Sequence, residues 1–206
     1  EHELASLQSE QIGNACSFHA ISAATQLLVS RTFDPQHLSQ EVNQRWWRGQ
    51  FMRIAPNWAV TPRMQKRIVH FLAKKYHLPV VAKYQSSEPN ALLGHLLNPK
   101  HDSIPIITLT WLWHQAPPIY YGESKHNMNK TRRAGGHTMV LAAYDSTHRA
   151  GGQFLTPWGF INSWLSNVDA LFWMTDADFR KAWRFWLPGV GPNPVVFISR
   201  VNHSAH

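Results

Sequence analysis

Apolar residues recur at helical spacing through the first half of the chain and at strand spacing through the second. Ala15, Phe18, Ala20, Ile21, Ala24, Leu27 and Leu28 make a broad apolar surface and predict a buried central helix over 15–30. Asp34-Pro35 supplies an N-cap and a first-turn proline for a second helix over 35–48. Residues 49–58 read as an irregular aromatic segment. Thr61-Pro62 starts a third helix through about Tyr76, with Met64, Ile68, Phe71 and Leu72 on one face and Arg63, Lys66, Arg67 and Lys74 on the other. A short strand is predicted at 79–84. Ser87-Glu88-Pro89 opens a helix over 89–97 that stops before Asn98-Pro99.

Beyond residue 100 the pattern changes. Strands are predicted at 104–113, 137–144, 153–155, 158–165, 170–174 and 195–201, with a hairpin loop at 146–152 and one acid-capped helix at 176–183. No internal repeat or low-complexity tract interrupts this order. Helices followed by strands predict an α+β fold, with a cleft between two lobes.

The length of 206 residues fits a single domain, with a helical lobe over about 1–100 and a β lobe over about 101–206. Ten tryptophans and ten phenylalanines point to aromatic packing and a wide aromatic groove. No run is long enough for a membrane span, so no membrane is expected. The start, Glu1-His2-Glu3-Leu4, has neither the basic nor the apolar region of a signal peptide, and the missing initiator Met fits a processed chain. One cysteine excludes an internal disulfide and suits a reducing compartment, the cytoplasm or a host cytosol. The formal charge of +8 raises nucleic acid, anionic surfaces and acidic substrates as partners. The basic residues are scattered, however, in clusters at 45–53, 63–75 and 125–133. They read as solvated faces plus one basic loop, and nucleic acid is not expected. Trp46, Trp47 and Trp58, interleaved with Arg45, Arg48 and Arg53, read as packing rather than base stacking.

Candidate chemistry centres on Gln11-Ile-Gly-Asn-Ala-Cys16. A thiol at a helix N-terminus lies where the helix dipole and free N–H groups favour a thiolate; the alternative is a buried structural cysteine. Among thirteen histidines, His137 stands out, because it starts a strong strand behind Gly135 and Gly136. It reads as a cleft base or as a turn histidine. In Trp158-Gly-Phe-Ile-Asn-Ser-Trp164, Phe160, Asn162 and Trp164 share a strand face. The Asn162 oxygen can accept the His137 ring N–H, and Trp164 can keep water away. His19, one turn after Cys16, reads as a packed or solvated helix histidine. The loop 125–133 reads as solvated, with a lid over the cleft as the other possibility. There is no zinc-spaced histidine pair, phosphate loop or GxSxG elbow, so no metal or cofactor is expected.

The order Gln11…Cys16, then Gly136-His137-Thr-Met-Val-Leu-Ala-Ala-Tyr-Asp, then Asn162-Ser163-Trp164 and Ala170-Leu-Phe-Trp-Met resembles the papain-like cysteine peptidases. The resemblance implies a helical left lobe carrying the nucleophile, a β-barrel-like right lobe carrying histidine and asparagine, and a cleft for an extended peptide. Mapped by motif, Cys16 is the nucleophile, His137 the general acid/base and Asn162 the orienter. Gln11, with Gln8 as the alternative, joins the Cys16 backbone N–H as oxyanion donor. Gly136 and Trp164 line the substrate side. The expected activity is hydrolysis of peptide or amide bonds by a monomer. Related glutamine deamidation or transamidation, and a catalytically inactive binding module, are the alternatives. Several positions depart from the family pattern. Gln11 is only five residues before Cys16, Ser17-Phe18 follows the cysteine, Gly136 precedes the histidine, Leu165 follows Asn-Ser-Trp, and the interval from His137 to Asn162 is long. They fit a divergent bacterial-type or effector-type relative and bear on substrate preference more than on the nucleophile.

Overall fold

A computed structural model describes residues 2–43, 60–98, 102–112, 116–127, 135–150, 152–164, 170–184, 186 and 190–201. The chain begins with a four-residue helix α1 (His2–Ala5), followed by α2 (Cys16–Val29), α3 (Pro35–Asn43) and α4 (Pro62–Tyr76). After β1 (Val80–Ser86) and α5 (Pro89–Leu97) come β2 (Ser103–Trp111), β3 (Pro118–Tyr121), β4 (Ser124–Asn127) and β5 (Gly135–Tyr144). Then follow β6 (Arg149–Ala150), β7 (Phe154–Leu155), β8 (Trp158–Ile161), β9 (Phe172–Met174), α6 (Asp176–Arg184) and β10 (Pro194–Arg200). The fold is α+β.

Local chemistry explains the helix starts. Asp34 Oδ1 accepts the Gln36 N–H at 2.9 Å ahead of α3. Thr61 Oγ1 accepts the Met64 N–H at 3.4 Å, with Pro62 in the first turn of α4. The helix α2 has no side-chain cap; Ala15 occupies that position. Its stability comes from burial instead, since eleven of its fourteen residues are buried. A helix apolar on all sides belongs in a core.

Among the described residues, eight strands form one antiparallel sheet in the order β1-β10-β2-β5-β8-β9-β3-β4, and β6 and β7 make a separate hairpin. Each face carries its own core. On one, Ile106, Val140, Ile161, Val196 and Ile198 meet Phe18, Ile21 and Ala24 of α2 and Ile68 and Leu72 of α4. On the other, Ile107, Leu109, Met139, Leu141 and Phe160 meet Leu92 of α5 and Phe179 and Trp183 of α6. Neighbouring strand residues therefore point into different cores, as a two-residue side-chain period requires.

The expected barrel-like lobe is instead an open sheet among the described residues, with β1 and β4 at its edges. The strand β1 extends the sheet beside β10, because Val80 and Ala82 alternate into the core beneath α4. The strand expected over 158–165 ends at Ile161, where Asn162 folds its side chain onto the next backbone N–H. The hairpin β3–β4, turning at Gly122 with φ +55, was not anticipated. Residues 44–48 of the second predicted helix, the aromatic segment through 59 with Trp46, Trp47 and Trp58, most of the 125–133 loop, and Leu165 lie outside the described residues. Among the described residues no helix is long and apolar enough to cross a membrane.

Candidate active site

Cys16 is the first residue of α2, and its backbone N–H is one of the donors that a helix start leaves unpaired. The first helical bonds run from Phe18 and His19 to the Ala15 carbonyl, at 2.9 and 3.1 Å. Its thiol is buried, at 7% exposure. Burial raises its pKa above the ordinary 9.0, while donors from Thr138 and Ser17, backbone and side chain in each case, pull it back down. Thr138 reaches the sulfur because β8 stops short: the β5–β8 register begins at Val140↔Ile161, so the edge of β5 at Thr138 is open toward α2.

His137 lies at the start of β5, opposite Leu109 of β2. Gly136 before it is held tightly, since a Cβ there would sit 3.1 Å from the Leu109 carbonyl oxygen. The ring is buried, at 3% exposure, and Nε2 lies 2.6 Å from Asn162 Oδ1. Trp164 packs on it with centroids 5.0 Å apart. Oδ1 also accepts the Ser163 N–H at 2.7 Å. A backbone N–H can only donate, so the amide orientation is fixed with oxygen toward both groups. His137 must then carry its proton on Nε2, which leaves the Nδ1 lone pair as the basic site. Burial lowers the ring pKa from 6.5 to about 4, against the opposing pull of the Asn162 bond.

The two glutamines separate by their partners. Gln8 braces the corner after β8: its oxygen accepts the Asn162 N–H at 2.9 Å and its nitrogen donates to the Ala170 carbonyl at 2.8 Å. Gln11 is the nearer to Cys16 in sequence. Its oxygen accepts from Ser163 Oγ at 2.7 Å, its nitrogen donates to the Gly13 carbonyl at 3.0 Å, and its own N–H bonds the Ser163 carbonyl at 2.8 Å. One amide hydrogen of Gln11 is left without a partner among the described residues.

The structure thus joins His137, Asn162 and Trp164 directly and ties Gln11 and Gln8 to the same corner. Cys16 adjoins Thr138 and shares a small cavity with Asn162, but it makes no hydrogen bond to His137. Strand alternation accounts for this: Thr138 faces α2, so His137 points toward the other core.

Sequence reasoning missed the support beneath the thiol. Gln65 is fully buried, with its amide nitrogen 3.1 Å from Ser17 Oγ, Thr108 Oγ1 and Thr138 Oγ1. These four residues link α2, α4, β2 and β5 under the Cys16 turn. Gln65 stands three and seven residues before Ile68 and Leu72, at the spacing of the buried face, and that was the available signal. Among the described residues no group of three His, Cys, Asp or Glu could hold a metal ion. Compared with known proteins, the chain matches no family model and no curated protein.

Proposed function

We propose that the chain is a divergent papain-like thiol hydrolase, cleaving peptide or amide bonds through an acyl-enzyme on Cys16. The supporting observation is the buried 2.6 Å contact between His137 Nε2 and Asn162 Oδ1 beneath Trp164. It fixes the tautomer that a general base needs, at the strand residue next to Thr138, which contacts the thiol.

In the proposed cycle Cys16 Sγ leaves Thr138 and gives its proton to His137 Nδ1 while bonding the substrate carbonyl carbon. The Cys16 N–H and the spare Gln11 amide hydrogen receive the oxyanion. Collapse expels the amine, which takes the proton from Nδ1–H. Water, deprotonated by His137, then opens the thioester, releases the acid and restores the thiol. Gly136 and Trp164 border the substrate. Asn162 holds the ring and stabilises the imidazolium.

Cys16→Ala is expected to retain the fold and abolish both turnover and labelling by a thiol-directed epoxide. Labelling undiminished in the variant, or peptide turnover that persists, overturns the assignment. Product analysis separates hydrolysis from deamidation and transamidation: a cleaved chain, released ammonia or a new amide cross-link. A second reading, a catalytically silent module of the same architecture, draws on the buried thiol and its lack of a bond to His137. Absence of turnover and of labelling in the wild type decides for it.

A further inference from the structure

The Asn162 amide turns its oxygen toward His137 and Ser163, so its nitrogen faces the other way. That nitrogen is buried and has no partner among the described residues. The same holds for Nε2 of His19, three residues after Cys16 on α2. The other ring nitrogen of His19 is paired with Ser9 Oγ at 2.7 Å. Both orphaned nitrogens belong to residues lining one cavity of about 10 Å³, whose wall also includes Cys16, Thr138 and Ser163. Such a space has room for a single water. Two buried polar atoms without a protein partner at one spot run against the general satisfaction of interior hydrogen bonds. A cation does not suit the site, because Asn162 presents donor hydrogens to it.

We propose that this cavity is a built site for one ordered water, bonded to Asn162 Nδ2 and His19 Nε2, and that His19 is thereby a positioning residue for Asn162. The water accepts a hydrogen from the amide. With Ser9 Oγ–H donating to Nδ1, it accepts the His19 Nε2–H as well, leaving its own hydrogens for the Cys16 sulfur or the hydroxyls in the wall. The chain Ser9–His19–water–Asn162–His137 then holds the imidazole from the side of α2. The water site stands on its own; its effect on turnover rests on the hydrolase reading above.

Two measurements test this. In a high-resolution crystal structure of the wild-type protein, a single water is expected within hydrogen-bonding distance of both nitrogens; a dry cavity overturns the proposal. By NMR, His19→Phe, which keeps a ring without its nitrogens, is expected to move the His137 ring nitrogen signals, and His19→Gln, which restores a donor, to return them toward wild type. If the peptidase reading holds, His19→Phe lowers kcat about tenfold with KM unchanged, and His19→Gln recovers most of it. Phe and Gln variants with equal signals and equal kcat refute the positioning role. Inactive wild-type protein with the water and the NMR response present sinks the hydrolase reading alone.

Discussion

Acid should weaken this protein through His137 in a way that one substitution removes. The ring titrates at about 4 in the folded chain because it is buried, and at 6.5 when exposed. Between those values the unfolded chain binds more protons, so stability falls as pH falls. The contribution is fully present above 6.5, is lost progressively toward 4, and is level below that. At about 1.4 kcal/mol per pH unit the whole effect is about 3 kcal/mol. Between pH 7 and pH 5 it amounts to roughly 2 kcal/mol, a large share of a typical domain's 5–15 kcal/mol. The perturbation is His137→Gln, which keeps a polar side chain but cannot titrate. Urea unfolding followed by tryptophan fluorescence at pH 7 and pH 5 supplies the free energies. Groups remote from residue 137 are common to both proteins and cancel in the comparison, and the buried His19 nearly does, since burial is the largest cause of its lowered pKa and the charge of His137 the smallest. Wild type is expected to lose about 2 kcal/mol more than the variant over this interval. Equal losses, or an NMR titration placing folded His137 near 6.5, would refute the reasoning.

The resting pair should be neutral, since burial raises Cys16 and lowers His137. Alkylation of Cys16 by iodoacetamide is therefore expected to be slow at pH 7 and to climb continuously through pH 9; a rate already at its plateau by pH 6 would reveal a thiolate–imidazolium pair instead. At Gly159 of β8, a Cβ would lie 3.0 Å from the Trp173 ring and 3.2 Å from Ala143 Cβ. Gly159→Ala is expected to cost about 1–3 kcal/mol in chemical denaturation, and a loss below 0.5 kcal/mol, about the level of an ordinary surface change, would contradict the packing described.

Elements set by local chemistry were legible in the sequence. Asp34-Pro35 and Thr61-Pro62 start helices where their side chains cap them, and α2 begins at Cys16 as its apolar surface implied. His137 with Asn162 and Trp164 was legible too, as a histidine near the start of one strand and an Asn-Ser-Trp at the end of another, although the strand expected to carry Asn162 and Trp164 stops at Ile161. What escaped depends on contacts between distant segments. The sheet's openness is a matter of strand order, which no window of sequence contains. Gln65 reads as a polar helix residue until Ser17, Thr108 and Thr138 gather around it. Gln8 and Gln11 looked interchangeable as oxyanion donors; only their partners, the Asn162 N–H for one and Ser163 Oγ for the other, distinguish them. The orientation of Cys16 toward Thr138 rather than His137 was likewise hidden, since it depends on which face of β5 receives α2.

The brace from Gln8 to Asn162 spans 154 residues of sequence. Its neighbour, Gln11 to Ser163, spans 152. Contacts of such long range form late, because loop closure must be offset by structure already in place. On the ribosome, residues 8–16 emerge more than a hundred residues before the segment that organises them. A nascent chain can thus build α2 and α4 while its histidine–asparagine corner does not yet exist. Whatever chemistry Cys16 performs switches on only once the segment around Asn162 has been made, which gives the nascent chain a built-in delay before its thiol acquires partners.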